Sequence, residues 1–353
     1  MWVARRPLAH LPHIDAPMRL SSSYGASISN AAGAGFSDNG GAGPSTGSDS
    51  GIDTPVVPHD SALRAHTGGL VGAFIGNSAS KHEVVVPELP TKSSNVSFPE
   101  VAARVVQLER RGKGRKLIAM SLYGNDTRYT FGALENALLV KRDWKGWVLR
   151  IYVGEGVPSD ILAALAALGV ELVRVESIQR GIAGMFWRFF AVEDRTATRI
   201  LIRDCDSRLN SRDRTAVDEW VKSGRFFHTM RDHSHHKTPI LGGMWGTVGG
   251  FINPGVLQAW RNEDRNASHD YLKKDDQFWL AREIWPHVRK YNLMHASWHC
   301  KNYKSEWRSF PTQREGDRDF VGNAFHPGNH FLGRPYTEEC PLECRRNATW
   351  TLC

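Results

Sequence analysis

Apolar residues follow no regular pattern until about residue 98, and from there they recur with two distinct periods. Residues from Pro99 to Arg110 have helical spacing, and the basic loop RRGKGRK, ending at Lys116, leads into the apolar run LIAMSLYG (117–124). A run of that kind predicts a first strand buried on both faces and ending at Tyr123-Gly124. Phe131 to Val140 returns to helical spacing, VLRIYVG (148–154) predicts a second strand, and Pro158 to Leu168 is an Ala/Leu helix closed by Gly169. VELVRV (170–175) reads as a third strand, Met185 to Val192 as a helix, and RILIR (199–203) as a fourth strand that enters RDCDSR. This strand-helix alternation predicts an α/β fold with a mostly parallel central sheet flanked by helices.

Beyond residue 210 the pattern is mixed. It predicts a helix from Arg212 to Lys222, a strand from Arg225 to Met230 and a Gly/Trp-rich loop, ILGGMWG. Helices near Val256 to Arg261 and Asp275 to Ile284 follow, then a closing strand, YNLMH (291–295). Eleven of the twelve tryptophans lie after residue 140, which suits a substantial core and sugar-stacking surfaces.

Composition divides the chain. Ser and Gly dominate from Ser21 to about Asp60, a stretch that buries too little apolar surface to offset its conformational entropy, so it is expected to be disordered. Met1 to Leu20 carries Arg5, Arg6 and Arg19 against Asp15 alone and faintly resembles an organelle-targeting leader, without the apolar core of a secretory signal. The expected organisation is a disordered or targeting leader over 1–97 and a single folded domain over 98–353. No run of about 18 apolar residues exists to span a bilayer. Sequons at Asn95, Asn125, Asn266 and Asn347 leave both the Golgi lumen and the cytoplasm open, with Asn125 expected to be buried.

Residues 101–353 hold 39 Lys+Arg against 29 Asp+Glu, so the positive charge belongs to the folded part and suits phosphate-bearing partners. Five cysteines include Cys205, Cys300 and the group Cys340, Cys344 and Cys353, of which the last three can form one bridge. Their spacing lacks the second pair expected of structural zinc, and the histidine-rich RDHSHH (231–236) reads as a polar loop rather than a zinc site.

The strongest local chemistry is Asp204-Cys205-Asp206 directly after the fourth strand. Two carboxylates one residue apart can converge on a hard divalent cation and the phosphates it carries. A D-x-D alone is more often a solvated turn, but open α/β sheets hold ligands at the carboxyl ends of their strands.

The ordered series SLYGNDTRYTFGALENA, IYVGEGVP, GMFWRFFAVED, RDCDSRLNSRDRTAVDEW, FHTMRDHSHH, ILGGMWG, DDQFWL and FVGNAF, over about residues 116 to 330, resembles a group of glycosyltransferases of algae, large DNA viruses and microbes with the GT-A nucleotide-sugar fold. The resemblance implies a Mn2+- or Mg2+-dependent enzyme that takes a nucleotide-sugar donor and a glycan or other hydroxyl acceptor, with no nucleic-acid partner. It implies metal ligation by Asp204 and Asp206, with Asp204 also toward the donor and Asp206 the more direct ligand. A downstream ligand is expected at His295, with His299 as the alternative. Tyr123, Gly124 and Asn125 are expected to receive the nucleoside, where Tyr123 can stack on the base. Arg188 and Arg203 both suit diphosphate oxygens, with Arg188 preferred for the catalytic role and Arg203 for donor binding. Gly242, Gly243 and Trp245 are expected to border the acceptor, and Asp276, chosen over Asp275, to face the reacting sugar. Competing functions are a noncatalytic nucleotide-sugar or carbohydrate-binding protein on the same fold and a metal-dependent nuclease, the latter without an evident RNA- or DNA-binding motif.

Overall fold

Residues 97–175, 184–253, 275–331 and 338–353 are described by a computed structural model of the chain. An eight-stranded sheet organises them, in the order β3-β2-β1-β4-β6-β5-β7-β8. The strands are β1 (Arg115–Leu122), β2 (Val148–Val153), β3 (Glu171–Arg174), β4 (Ala197–Ile202), β5 (Phe227–Arg231), β6 (Trp245–Thr247), β7 (Asn292–Ala296) and β8 (Glu306–Arg308). All neighbours pair in parallel except β6, which runs antiparallel to both β4 and β5. The mostly parallel α/β sheet that the alternation predicts is therefore the one observed.

The helices follow from their end signals. In α1 (Phe98–Arg110), Ser97 and Glu100 form a capping box, with the Ser97 amide donating to Glu100 at 2.7 Å. In α2 (Thr127–Asp143), the Asp126 carboxylate accepts the Arg128 amide at 2.8 Å. The short α3 (Ser159–Ala167) covers β2 and β3, and α4 (Ser211–Ser223) starts on an Asn210 cap and ends at Gly224, whose φ of 72° suits glycine. Apolar side chains divide between the sheet's two faces. Ala133, Val140 and Trp144 of the α2 region, Ile161 and Leu165 of α3, and Val217 and Trp220 of α4 fill one face. Phe186, Phe189, Trp245, Trp279 and Val288 fill the other.

Two elements differ from expectation. Gly184–Glu193 is a 3-10 helix rather than an α-helix. With three residues per turn, Phe186, Phe189 and Val192 share one line, Trp187 and Phe190 the next and Arg188 and Ala191 the third, and all seven are buried, so the element is enclosed on every side. ILGGMWG is not simply a loop, because its Trp245 and Gly246 enter β6, a strand of only three residues. The expected leader (1–97, apart from Ser97) and the helix near Val256 to Arg261 lie outside the described residues. Helical structure resumes at α5 (Asp275–Trp279), passes through a π turn (Leu280–Ile284) and continues as α6 (Trp285–Val288). Among the described residues no helix is long and apolar enough to cross a membrane.

Cysteine pairing exceeds the single bridge expected. Cys300 joins Cys344, Cys340 joins Cys353, and Cys205 is free and buried. Cys300 sits in the turn after β7, so the fold brings it to a cysteine 44 residues away that the sequence cannot assign as its partner.

His228 on β5 and His295 on β7 form a buried chain. The rings meet at 2.8 Å through His228 Nε2 and His295 Nδ1, and His295 Nε2 lies 3.2 Å from Glu219. Two neutral rings satisfy this order, with His228 Nε2–H donating to His295 and His295 Nε2–H donating to the carboxylate. Burial holds both histidines below their ordinary pKa, His228 furthest. The unfolded chain then takes up protons near pH 6.5 that the folded one refuses, so stability is full above that value and falls as pH drops, by roughly 1.4 kcal/mol per pH unit for each histidine. The expected result is a melting temperature that declines from pH 7 to 5.5, with a shallower slope in His228→Phe. Equal slopes in the two proteins would remove the histidine pair from the explanation.

Candidate active site

The sheet's strand order turns back between β1 and β4, and the crevice at their carboxyl ends collects most of the candidate residues. β4 is buried along its whole length and expels Arg203 to Asp206 at that end. Asn136 of α2 fixes the emerging backbone. Its side-chain amide donates to the Cys205 and Ser207 carbonyls at 3.1 and 2.8 Å, and its carbonyl accepts the Leu209 amide at 3.2 Å. The Cys205 thiol turns inward and donates to the Ser121 carbonyl at 3.2 Å, which leaves the flanking aspartates on the crevice side.

Arg188 is the centre of the charged arrangement. Its guanidinium pairs with Asp204 through Nη1 and with Asp276 through Nη2, the latter at 3.0 Å, and its backbone amide donates to Ser121 Oγ at 2.9 Å. Burial opposes its charge, but the two carboxylates outweigh that effect and raise its pKa above the ordinary guanidinium value. Asp276 is raised above the usual carboxylate range by burial, against the pull of Arg188. Asp206 is raised as well, first by burial and then by the Asp204 charge, and it pairs with Arg128 from the first turn of α2. Arg128 belongs to this arrangement and escaped the sequence reading. The signal that marks it is a basic residue in a helical first turn that has no acidic residue, where the macrodipole favours the opposite sign.

Gly242 and Gly243 come against these carboxylates. A methyl group on Gly242 would overlap the Asp276 carboxylate and approach Arg188 Nη2 at 3.0 Å, and one on Gly243 would overlap Asp204. Tyr123 is 45% exposed at the end of β1, with its ring edge-on to Trp187 at 5.5 Å. Gly124, at φ 69°, turns the chain and donates its amide to the Glu155 carbonyl at 2.8 Å.

Five expectations change. Arg203 is buried and turned away from the crevice, forming a two-pronged pair with Asp213 at 2.8 Å on each oxygen and donating to the Ile202 and Trp245 carbonyls. Trp245 is not a sugar platform: it packs among Phe189 and Phe227 in the core, and its indole N–H holds the Gly242 carbonyl at 3.1 Å. His295 stands on β7, with β6 and β5 between it and β4, and both of its ring nitrogens are engaged by His228 and Glu219. The alternative, His299, meets the Ser234 carbonyl at 2.7 Å in the loop after β7. Asn125 is exposed rather than buried, because the turn after Gly124 faces outward. In RDHSHH, Asp232 is buried against Arg212 at 2.7 Å.

Among the described residues, no group of three or more His, Cys, Asp and Glu side chains is gathered to hold a metal ion. Two carboxylates at a strand end, Asp204 and Asp206, are nevertheless the donor type that Mg2+ and Mn2+ accept, since such ions keep several waters and complete their shell with substrate phosphates. The mutual repulsion that helps raise Asp206 is what a cation between the two would relieve.

No family model matches the chain, and no curated protein matches it. Among solved structures it is similar to glucosyl-3-phosphoglycerate synthase from Mycobacterium tuberculosis in complex with Mn2+, UDP-glucose and glycerol 3-phosphate, at 12% identity and a TM-score of 0.26, over 45% of this chain and 63% of that one. The chain thus spans less than two thirds of that protein's length. It is also similar to mannosyl-3-phosphoglycerate synthase from Rubrobacter xylanophilus, at 13% identity and 0.31, over 54% and 77%. An active-site mutant of LgtC matches at 13% identity and 0.36, over 66% and 91%. Likenesses this shallow decide nothing about chemistry, which is read from the chain's own residues.

Proposed function

We propose that the chain is a GT-A-type glycosyltransferase that moves a sugar from a nucleoside-diphosphate sugar to an acceptor hydroxyl. The observation that carries this reading is the buried Arg188 pairing with Asp204 and Asp276 beside Asp206, at the carboxyl end of β4, with the Gly242-Gly243 backbone pressed against the same carboxylates. Asp204 and Asp206 would hold Mn2+ or Mg2+. The bound cation would supply positive charge to the departing diphosphate.

The chain's own groups carry the rest. The guanidinium of Arg188, held at the strand end by Asp204 and Asp276, offers charged donors to diphosphate oxygens. Gly242 and Gly243 allow the backbone to come close to a sugar. The exposed ring of Tyr123 gives a base a face to stack on. If the reaction inverts configuration, Asp276 takes the proton of the acceptor hydroxyl, a role suited to a carboxylate whose pKa burial has raised. If it retains configuration, Asp276 orients the substrate.

A panel of UDP- and GDP-sugars tests the reading. At least one is expected to raise the melting temperature in the presence of Mn2+ and to turn over. Asp206→Asn should keep the fold, because burial already disfavours the ionised carboxylate, and should lose the Mn2+-dependent shift with about a hundredfold or greater fall in turnover. Turnover equal to wild type in that variant would reject the site.

A further inference from the structure

Each aspartate of the strand-end motif already has a cation on it: Asp204 has Arg188 and Asp206 has Arg128. Arg188 is almost wholly buried and Arg128 partly so, and the Nε–H of each is enclosed without a hydrogen-bond partner among the described residues. Both guanidiniums therefore keep donor capacity that the present pairing leaves unused. Charge counting gives the consequence. Asp204, Asp206 and Asp276 face Arg128 and Arg188, and Arg208 acts on Asp206 as well, so the cluster is balanced. A divalent cation entering alone would turn this partly buried cluster net positive, taking Asp206 from Arg128 and leaving Arg188 with Asp276 only. The same cation entering with the two negative charges of a sugar diphosphate leaves the balance unchanged and gives the arginines new oxygens.

We propose that Arg128 and Arg188 are resident counter-ions of Asp206 and Asp204 that move to the diphosphate when it arrives, so that metal and nucleoside diphosphate bind as a unit rather than in turn. This rests on the glycosyltransferase reading and deepens it, by assigning Arg128 as a diphosphate-binding residue and fixing the order of assembly. Arg128 suits the exchange better than a lysine would. It sits in the first turn of α2, its guanidinium lies 5.1 Å from the centre of the Tyr129 ring, and its planar fork, which meets Asp206 through Nη2 alone, has a second N–H to offer a phosphate.

The test measures bound Mn2+ from the loss of the free-ion EPR signal, with Mn2+ alone and with UDP or GDP, corrected for Mn2+ that the nucleotide takes without protein. In wild type the nucleotide is expected to tighten Mn2+ binding at least tenfold. Arg128→Gln should bind Mn2+ alone about tenfold more tightly than wild type, since Asp206 is released, and should show a much smaller nucleotide enhancement. Arg128→Lys should fall between the two, which separates loss of the fork from general damage. Melting curves of both variants verify that they fold. If the nucleotide enhances Mn2+ binding equally in wild type and Arg128→Gln, the inference fails while the glycosyltransferase reading stands. If neither nucleotide binds any of the proteins with or without Mn2+, both fail.

Discussion

Arg188→Met is expected to destabilise the protein by about 3–5 kcal/mol, because it removes the only cation that Asp276 touches at hydrogen-bond distance among the described residues. Asp276 is 4% exposed and cannot recover the lost interaction from water. With its pKa already raised by burial, it would take up a proton and lose its use as a base. For a folded region of this size the melting temperature should fall by roughly 6–20 °C. Because the fault lies in an orphaned carboxylate, Arg188→Met combined with Asp276→Asn should regain much of the loss, a coupling visible in a double-mutant cycle. Additive losses in the cycle would mean that Arg188 stabilises by packing rather than by charge. Turnover should be lost in both proteins, since the diphosphate donor is absent in each.

Gly243→Ala is expected to reduce turnover about a hundredfold or more while leaving the circular dichroism spectrum unchanged. The backbone there does not occupy the left-handed region, so alanine is conformationally acceptable and the effect is steric. The new methyl group would overlap the Asp204 carboxylate and displace it from Arg188. Gly316→Ala supplies the comparison, since a methyl group there meets nothing within 4 Å. Equal activity of the two variants would show that the close approach of Gly243 to Asp204 has no bearing on catalysis.

The fold was legible where burial is two-sided. β1 and β4 sit in the middle of the sheet and read as apolar runs because both of their faces are covered. β6 was not legible, since three residues with a glycine in the middle carry no period. The same divide runs through the site. Asp204 and Asp206 could be named from chemistry and strand-end position, Arg188, Asp276, Gly242 and Gly243 only from the resemblance, and the fold gathers them. Arg203 and Arg188 could not be told apart by residue type, because only the direction of the side chain decides. Arg203 leaves the strand toward Asp213 of α4, and Arg188 reaches the crevice from the opposite layer. His295 ends the strand that looks right for a ligand, yet strand order puts it three positions from β4, about 14 Å at the usual strand spacing. Sequence order does not contain that distance. Nor does it contain the Arg128–Asp206 pair, whose members lie 78 residues apart.

The central claim is that Asp204 and Asp206 receive a divalent ion together with a nucleoside diphosphate. Anomalous diffraction at the manganese edge, from crystals grown with Mn2+ and UDP or GDP, reads this out without any assumption about sugar or acceptor. The expected result is one manganese peak between the two carboxylates, with the diphosphate beside it and in reach of Arg188. A manganese peak at the His228–His295 pair, or a nucleotide bound away from the carboxyl ends of β1 and β4, would contradict it.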